Sequence, residues 1–477
     1  MSMFRLWQML NRRGSASKTH TAVLAVIAFA SATAIFLTVL GGVHAFIWRA
    51  SAGHTISCAF DGLCGPGISG VAEGPDSLYV VLALFACLLL LVPFATLAAS
   101  AARLCAARRD ARLSALRLVG ATNAQVVRLT ALDTAFQALC GALFGVAGYF
   151  ILMPAVMLLK FQGRHFAFHE LWVGLPALLL TAAGVTMMAL LASVSALHRV
   201  VITPLGVSAR VGTGQPGVWR FGVVAAAFIT AIVVFKTPLI RYFGTAVAVA
   251  VVIGFIVICY ALLNLLGPWV ISVRAKARAR HPGSPATLIA MRRILDNPKR
   301  AWRNVSGIAL AVFVAGITSV CSYLAASGYD DGAAAGDDGP VQRAAVTLLQ
   351  DIGTGGLLTL VFAAVLAAVS CGIMQAGNVY DQEDEYRMLA LEGVDASVMD
   401  RARLTEVMTP LNVVVLVAGS CSLLLMLPLV GSLLTRPQTL VGLVVGIVLC
   451  YLLVSVGALA SNRVAAGLDL LDYRADD

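Results

Sequence analysis

The hydrophobic positions of this chain come in long unbroken runs, not in the alternating or three-to-four-residue patterns of a soluble surface. About ten runs stand out, at 21–47, 78–102, 130–158, 172–198, 219–236, 243–272, 305–326, 354–376, 408–429 and 439–462. Most hold about 20 or more residues, enough for a helix to cross a hydrocarbon core of about 30 Å. In lipid the backbone must satisfy its own hydrogen bonds, so the runs predict transmembrane helices and an all-α polytopic fold. The third, sixth and tenth runs are long enough to tilt or to continue as helix into water. The run after Lys18 is apolar from Ala22 to beyond Leu40. That is too long for a signal-peptide core of about 7 to 15 residues, so a retained first span is expected.

Two polar-apolar segments break this pattern by taking a helical period of their own. Met3, Leu6, Trp7 and Leu10 fall on one helical face, and Leu288, Met291 and Leu295 do the same later in the chain. Both are expected to lie in the membrane interface. Each precedes a similar entry into the membrane, "NRRGSASKTHTAVLAVIAFASATA" from Asn11 and "NPKRAWRNVSGIALAVFVAGITSV" from Asn297. A second echo is gapless: "LSALRLVGATNAQVVRLTALD" (Leu113–Asp133) aligns with "YRMLALEGVDASVMDRARLTE" (Tyr386–Glu406). Gly120 falls on Gly393, Arg128 on Arg401 and Asp133 on Glu406. The expected organisation is a first four-span repeat over 1–210, two connecting spans over 211–280 and a second four-span repeat over 281–477. Both repeats start on the same side, so they are parallel, unlike the inverted repeats of many secondary carriers.

Charge sets the orientation. With both termini inside, inner segments hold 27 of the 34 Lys and Arg residues, and the outer ones keep only Arg49, Lys160, Arg164, Lys236, Arg241, Arg343 and Arg436. That bias predicts N-in and C-in topology. It also accounts for the net charge of +10 without nucleic acid, which is not an expected partner. A mean hydropathy of +0.89 with 12% charged residues excludes a soluble globular chain of this length. The outer loops are short; the largest are expected at roughly 48–77 and 327–353.

Candidate chemistry is sparse. A phosphate-binding loop needs Gly-Lys, and the chain has no such dipeptide. No catalytic residue, cofactor site or metal ligand set is read from the sequence, so an enzyme is not expected. Eight of the ten cysteines lie in or beside apolar runs, where a small soft hydrophobe suffices as the reason. Cys58 and Cys64 share the polar outer loop "SCAFDGLCGPG" and are either a disulfide or two free thiols. Asp133 and Glu406, each near the inner end of a span, are read as carboxylates that fix helix packing. A transport role is the alternative, because intramembrane charge often marks an ion path.

The segments "LRLVGAT" (Leu116–Thr122), followed by Asp133, and Glu385 with "LALEGV" (Leu389–Val394), followed by Glu406, resemble the FtsX-like permease family. This family supplies membrane subunits of MacB-type ATP-binding-cassette transporters. "VITPLGVSAR" at Val201–Arg210 resembles its tail after the fourth span, and "NPKRAWRN" its lead-in to a repeat. Arg112 stands where the family usually has Glu, and Ala390 where it usually has Arg. The resemblance implies that the segment after the second span of each repeat is a short cytoplasmic coupling helix for an ATPase. It maps this role onto Arg112, Leu113, Leu116, Arg117, Val119 and Gly120, and onto Met388, Leu389, Glu392 and Gly393.

An apolar face ringed by arginines suits helix-in-groove recognition. Anionic lipid is the other surface such a segment fits. The resemblance further implies a bacterial cytoplasmic-membrane protein with two ATPase subunits per chain, ATP and Mg being bound by those partners. Export or extraction of a peptide, antibiotic or lipid-like substrate is then the expected activity. The alternative is mechanotransmission to an extracytoplasmic partner or sensor kinase without cargo.

Overall fold

The computed structural model describes residues 16–51, 75–107, 123–201, 245–335, 340–381, 388–389, 391–426 and 441–466, with isolated helical positions at 222, 226 and 230. Its long helices are α1 (Ala16–Ser51), α2 (Pro75–Ala107), α3 (Asn123–Met157), α5 (Gly174–Val201), α6 (Thr245–Arg280), α8 (Pro298–Ala335), α9 (Pro340–Asp381), α10 (Ala396–Met426) and α11 (Val441–Ala466). Between α3 and α5 lie a two-stranded hairpin, β1 (Lys160–Phe161) and β2 (Arg164–His165), and the one-turn helix α4 (Phe168–Leu171). The amphipathic helix α7 (Pro285–Asp296) precedes α8. Eight of the described helices are long and apolar enough to cross a bilayer, and α11 carries a shorter apolar stretch, Leu443–Gly457. The protein is therefore an all-α polytopic membrane protein. Apart from those three positions the run expected at 219–236 lies outside the described residues, as does the first amphipathic segment (Met3 to Leu10).

Local chemistry explains where the helices begin. Ser284 accepts the Thr287 amide and Pro285 fills the first helical position of α7. Asn297 then caps the next helix by accepting the Arg300 amide at 3.1 Å, with Pro298 as the first residue of α8. "Asn-Pro" thus works as a sharp stop and restart between two helices. The buried face of α7 is Ala286, Ala290, Met291 and Ile294. That is rotated from the expected Leu288, Met291 and Leu295 stripe, and Leu288 is exposed. The rotation follows from docking: α7 packs on α6 and α10, so its inward face is chosen by two helices instead of by a flat interface.

The helices form two four-helix units with the same neighbours. In the first, α1 packs on α2, α3 and α5, α2 packs on α5, and α3 packs on α5. In the second, α8 packs on α9, α10 and α11, α9 packs on α11, and α10 packs on α11. The units meet chiefly through α2 and α9, with α1 also against α9, and α6 leans on α7, α8 and α10. Small residues permit the closest approaches. A Cβ at Gly145 would lie 2.5 Å from the Thr33 Cβ, and one at Gly267 would lie 2.2 Å from the Trp302 ring. Trp302 completes that α6–α8 contact by donating its indole N–H to Asn264 at 3.1 Å.

The segment expected as an outer loop at 327–353 lies largely between the candidate spans Pro298–Ser319 and Val346–Gly377, but its described residues are helical, with α8 running to Ala335 and α9 starting at Pro340. Alanine favours helix strongly, and a helix leaving the bilayer needs no apolar run to continue.

Candidate functional site

The densest polar chemistry gathers at the end of the bundle that carries the hairpin. Gln162 and Gly163 both take positive φ, 54° and 74°, which makes a two-residue primed turn matched to strand twist. The hairpin and α4 are held onto α1 by Arg49, which is fully buried. Its guanidinium donates Nε to Glu170 Oε1 at 3.2 Å and Nη2 to Oε2 at 2.8 Å, a bidentate fork. Nη1 reaches the Phe161 carbonyl at 3.0 Å and Gln162 Oε1 at 3.3 Å, and Nη2 also reaches the His165 carbonyl at 3.0 Å. Five bonds engage a group with five N–H donors. The Phe166 ring, 4.4 Å away, covers one face of the cation. Glu170 Oε2 also accepts the Ala167 amide, and His44 and Tyr149 bond the carbonyls of Glu170 and Leu171.

A second carboxylate ties the two units together here. Asp351 on α9 accepts the Tyr79 hydroxyl of α2 at 2.7 Å and the Gln162 amide at 2.8 Å, both on Oδ2. Asp351 also lines a cavity of about 220 Å³ between the units. The other walls are largely apolar, with Phe46, Phe85, Phe161, Phe166 and Phe362 among them.

The opposite end holds the second copy of the repeated segment. Met388 and Leu391 are strongly exposed, and Gly393 has φ +85°. The Glu392 amide bonds the Met388 carbonyl and the Val394 amide bonds the Leu389 carbonyl, so the chain ends a helical turn there and re-enters as α10. Only glycine holds that backbone without strain. Gly393→Val is expected to cost about 1 kcal/mol or more, read as a lower thermal midpoint, while Gly283→Val in an open loop serves as control.

Asp133 accepts Gln137 Nε2 at 3.2 Å one turn along the same helix. Glu406 on α10 lies 3.9 Å from Arg293 of α7, a loose pair that links the interfacial helix to the bundle. Arg112, Leu113, Leu116, Arg117, Val119 and Gly120 lie outside the described residues, as do Cys58 and Cys64. His165 and His169 are four apart but fall in β2 and α4. Among the described residues no group of three or more His, Cys, Asp or Glu side chains is placed to hold a metal ion.

Arg49, Glu170 and Asp351 were not among the residues expected from sequence. Each lies at or near the margin of an apolar run, where a charge looks solvated, and their partners are more than 100 residues away. The Gln-Gly pair between Phe161 and Arg164 was the one local sign of a hairpin.

Paired four-helix units, a cavity between them and a polar clasp at one end define a polytopic α-helical membrane protein. Residues 82–202, from within α2 to the end of α5, match the family model described as FtsX-like permease C-terminal. No curated protein matches the chain.

Proposed function

We propose that this chain is the permease subunit of a bacterial ABC transporter in the cytoplasmic membrane, moving a peptide, antibiotic or lipid-like substrate outward with energy from separate ATPase subunits. The observation that carries this reading is the FtsX-like domain at 82–202 in a chain whose second half repeats the same helix neighbours. One chain holding both units calls for two ATPases. MacB-type coupling is assigned to Leu116 and Leu389 with their neighbours. The exposed Met388 and Leu391 side chains support docking, because apolar groups at a bundle end need cover. In this scheme ATP and Mg stay with the partner, and approach of the two ATPases moves the units relative to each other.

A second reading has one specific support. The hairpin is bonded to α1 through Arg49 and to α9 through Asp351, so it would report relative motion of both units at the far surface. That suits mechanotransmission to an extracytoplasmic partner or sensor kinase.

Replacing Leu116 and Leu389 together by Asp is expected to abolish co-purification of the ATPase while leaving the permease folded. An ATPase that remains bound would count against docking through these segments. Vesicles with the intact complex then separate the two readings: accumulation of a substrate supports export, and a changed partner activity without accumulation supports mechanotransmission.

A further inference from the structure

The cavity between the units combines an apolar wall with one carboxylate. Its hydroxyl groups are already engaged: Thr38 donates to the Ala34 carbonyl, Thr318 to Val314, Thr359 to Gly355 and Tyr79 to Asp351. Asp351 differs. Its Oδ2 takes both donors, and among the described residues no donor reaches its Oδ1, although the residue is only 7% exposed. A carboxylate oxygen in a largely apolar chamber is costly unless a donor or cation meets it. Arg49 acts on Asp351 electrostatically, but its five bonds go to Glu170, the hairpin carbonyls and Gln162. A cationic group entering the cavity would find Oδ1 open to it.

We propose that this cavity binds a single-chain cationic amphiphile, with its ammonium or guanidinium head on Asp351 Oδ1 and its apolar chain among the phenylalanines. This deepens the export reading by naming the class of cargo. The chain length is bounded by a volume of about 220 Å³, enough for one short alkyl chain or one aromatic ring and too small for a two-chain lipid. Recognition follows from the arrangement: the apolar wall supplies affinity, and the lone carboxylate supplies selectivity for charge. A neutral alcohol of equal length would share the wall and lose the ion pair. A fatty carboxylate would meet repulsion from Asp351.

The test uses the full chain in detergent without any ATPase, titrated calorimetrically with octylammonium, octanol and octanoate. Octylammonium is expected to bind at least tenfold more tightly than octanol, and octanoate more weakly than either. Asp351→Asn keeps the shape and an acceptor but removes the charge. It should weaken octylammonium at least tenfold and leave octanol unchanged. Gly42 lines the cavity, and a Cβ there meets nothing within 4 Å, so Gly42→Leu fills space without a clash. That variant should keep the thermal midpoint and lose both octylammonium and octanol. Equal affinity for all three probes, or octylammonium binding that survives both substitutions, overturns the proposal. Because no ATPase is present, failure here leaves the coupling experiment untouched, and failure of coupling leaves this binding untouched.

Discussion

Arg49→Met is expected to destabilise the protein by about 3 to 5 kcal/mol, the range for removing one member of a buried ion pair. The magnitude comes from what is left behind. Glu170 would keep a carboxylate with 6% side-chain exposure, the Ala167 amide and the more distant charge of Arg164. The Phe161 and His165 carbonyls and the Gln162 side chain would lose their donor as well. Thermal unfolding in detergent, followed by near-ultraviolet circular dichroism, reads this as a large fall in midpoint. Replacing both partners, Arg49→Met with Glu170→Met, is expected to restore part of the loss, because the stranded charge is gone. It cannot restore all of it, since the carbonyl acceptors remain. A single Arg49→Met protein as stable as the wild type would mean that water reaches this cluster and the pair is effectively a surface one.

The clasp also shows which parts of the molecule the sequence could report. Helices announced themselves through apolar length, so α1, α3 and α10 follow the expected runs while extending beyond them into water. Their ends did not, because a helix of Ala, Ser and Gly outside the bilayer has no hydrophobic signature; the stretch at 328–335 is the example. Gly393 drew notice only as the counterpart of Gly120 in the repeat, and the backbone there takes a positive φ that the sequence does not announce. Asp351 and Glu170 were invisible because burial is a tertiary property. A carboxylate at the margin of an apolar run looks the same whether it faces water or, as Glu170 does, an arginine 121 residues away. Asp133 and Glu406 drew notice by position inside the repeat, and their contacts include a same-helix bond to Gln137 and a 3.9 Å approach to Arg293.

The second large effect is expected at Gly145→Leu, which overfills the contact between α1 and α3. Gly141, Gly145 and Gly148 fall on one helical face, spaced by four and three residues. Added Cβ atoms there would lie 2.4 Å from Phe29, 2.5 Å from Thr33 and 2.9 Å from Ala34. At Gly145 the Ala30 carbonyl is a further obstacle at 2.8 Å, and backbone cannot rotate away as a side chain can. Overpacking typically costs about 1 to 3 kcal/mol, and a whole leucine against backbone belongs at or above the top of that range.

The damage should travel to the clasp. Arg49 lies 16 residues beyond Thr33 on α1, about 24 Å along the axis at 1.5 Å per residue, so a small tilt at the glycines becomes a displacement at the hairpin. Limited trypsin digestion is the direct readout, with cleavage at Lys160 and Arg164 rising in Gly145→Leu as the hairpin loses its anchor. Gly184 on α5 has open space at its Cβ position, so Gly184→Leu should change neither cleavage nor thermal midpoint. Combining Gly145→Leu with Arg49→Met should cost less than the sum of the two, because both act through the same contact between α1 and the hairpin. Full additivity would show that the glycine seam and the clasp are independent, and equal stability of the Gly145 and Gly184 variants would show that α1 and α3 can separate at little cost.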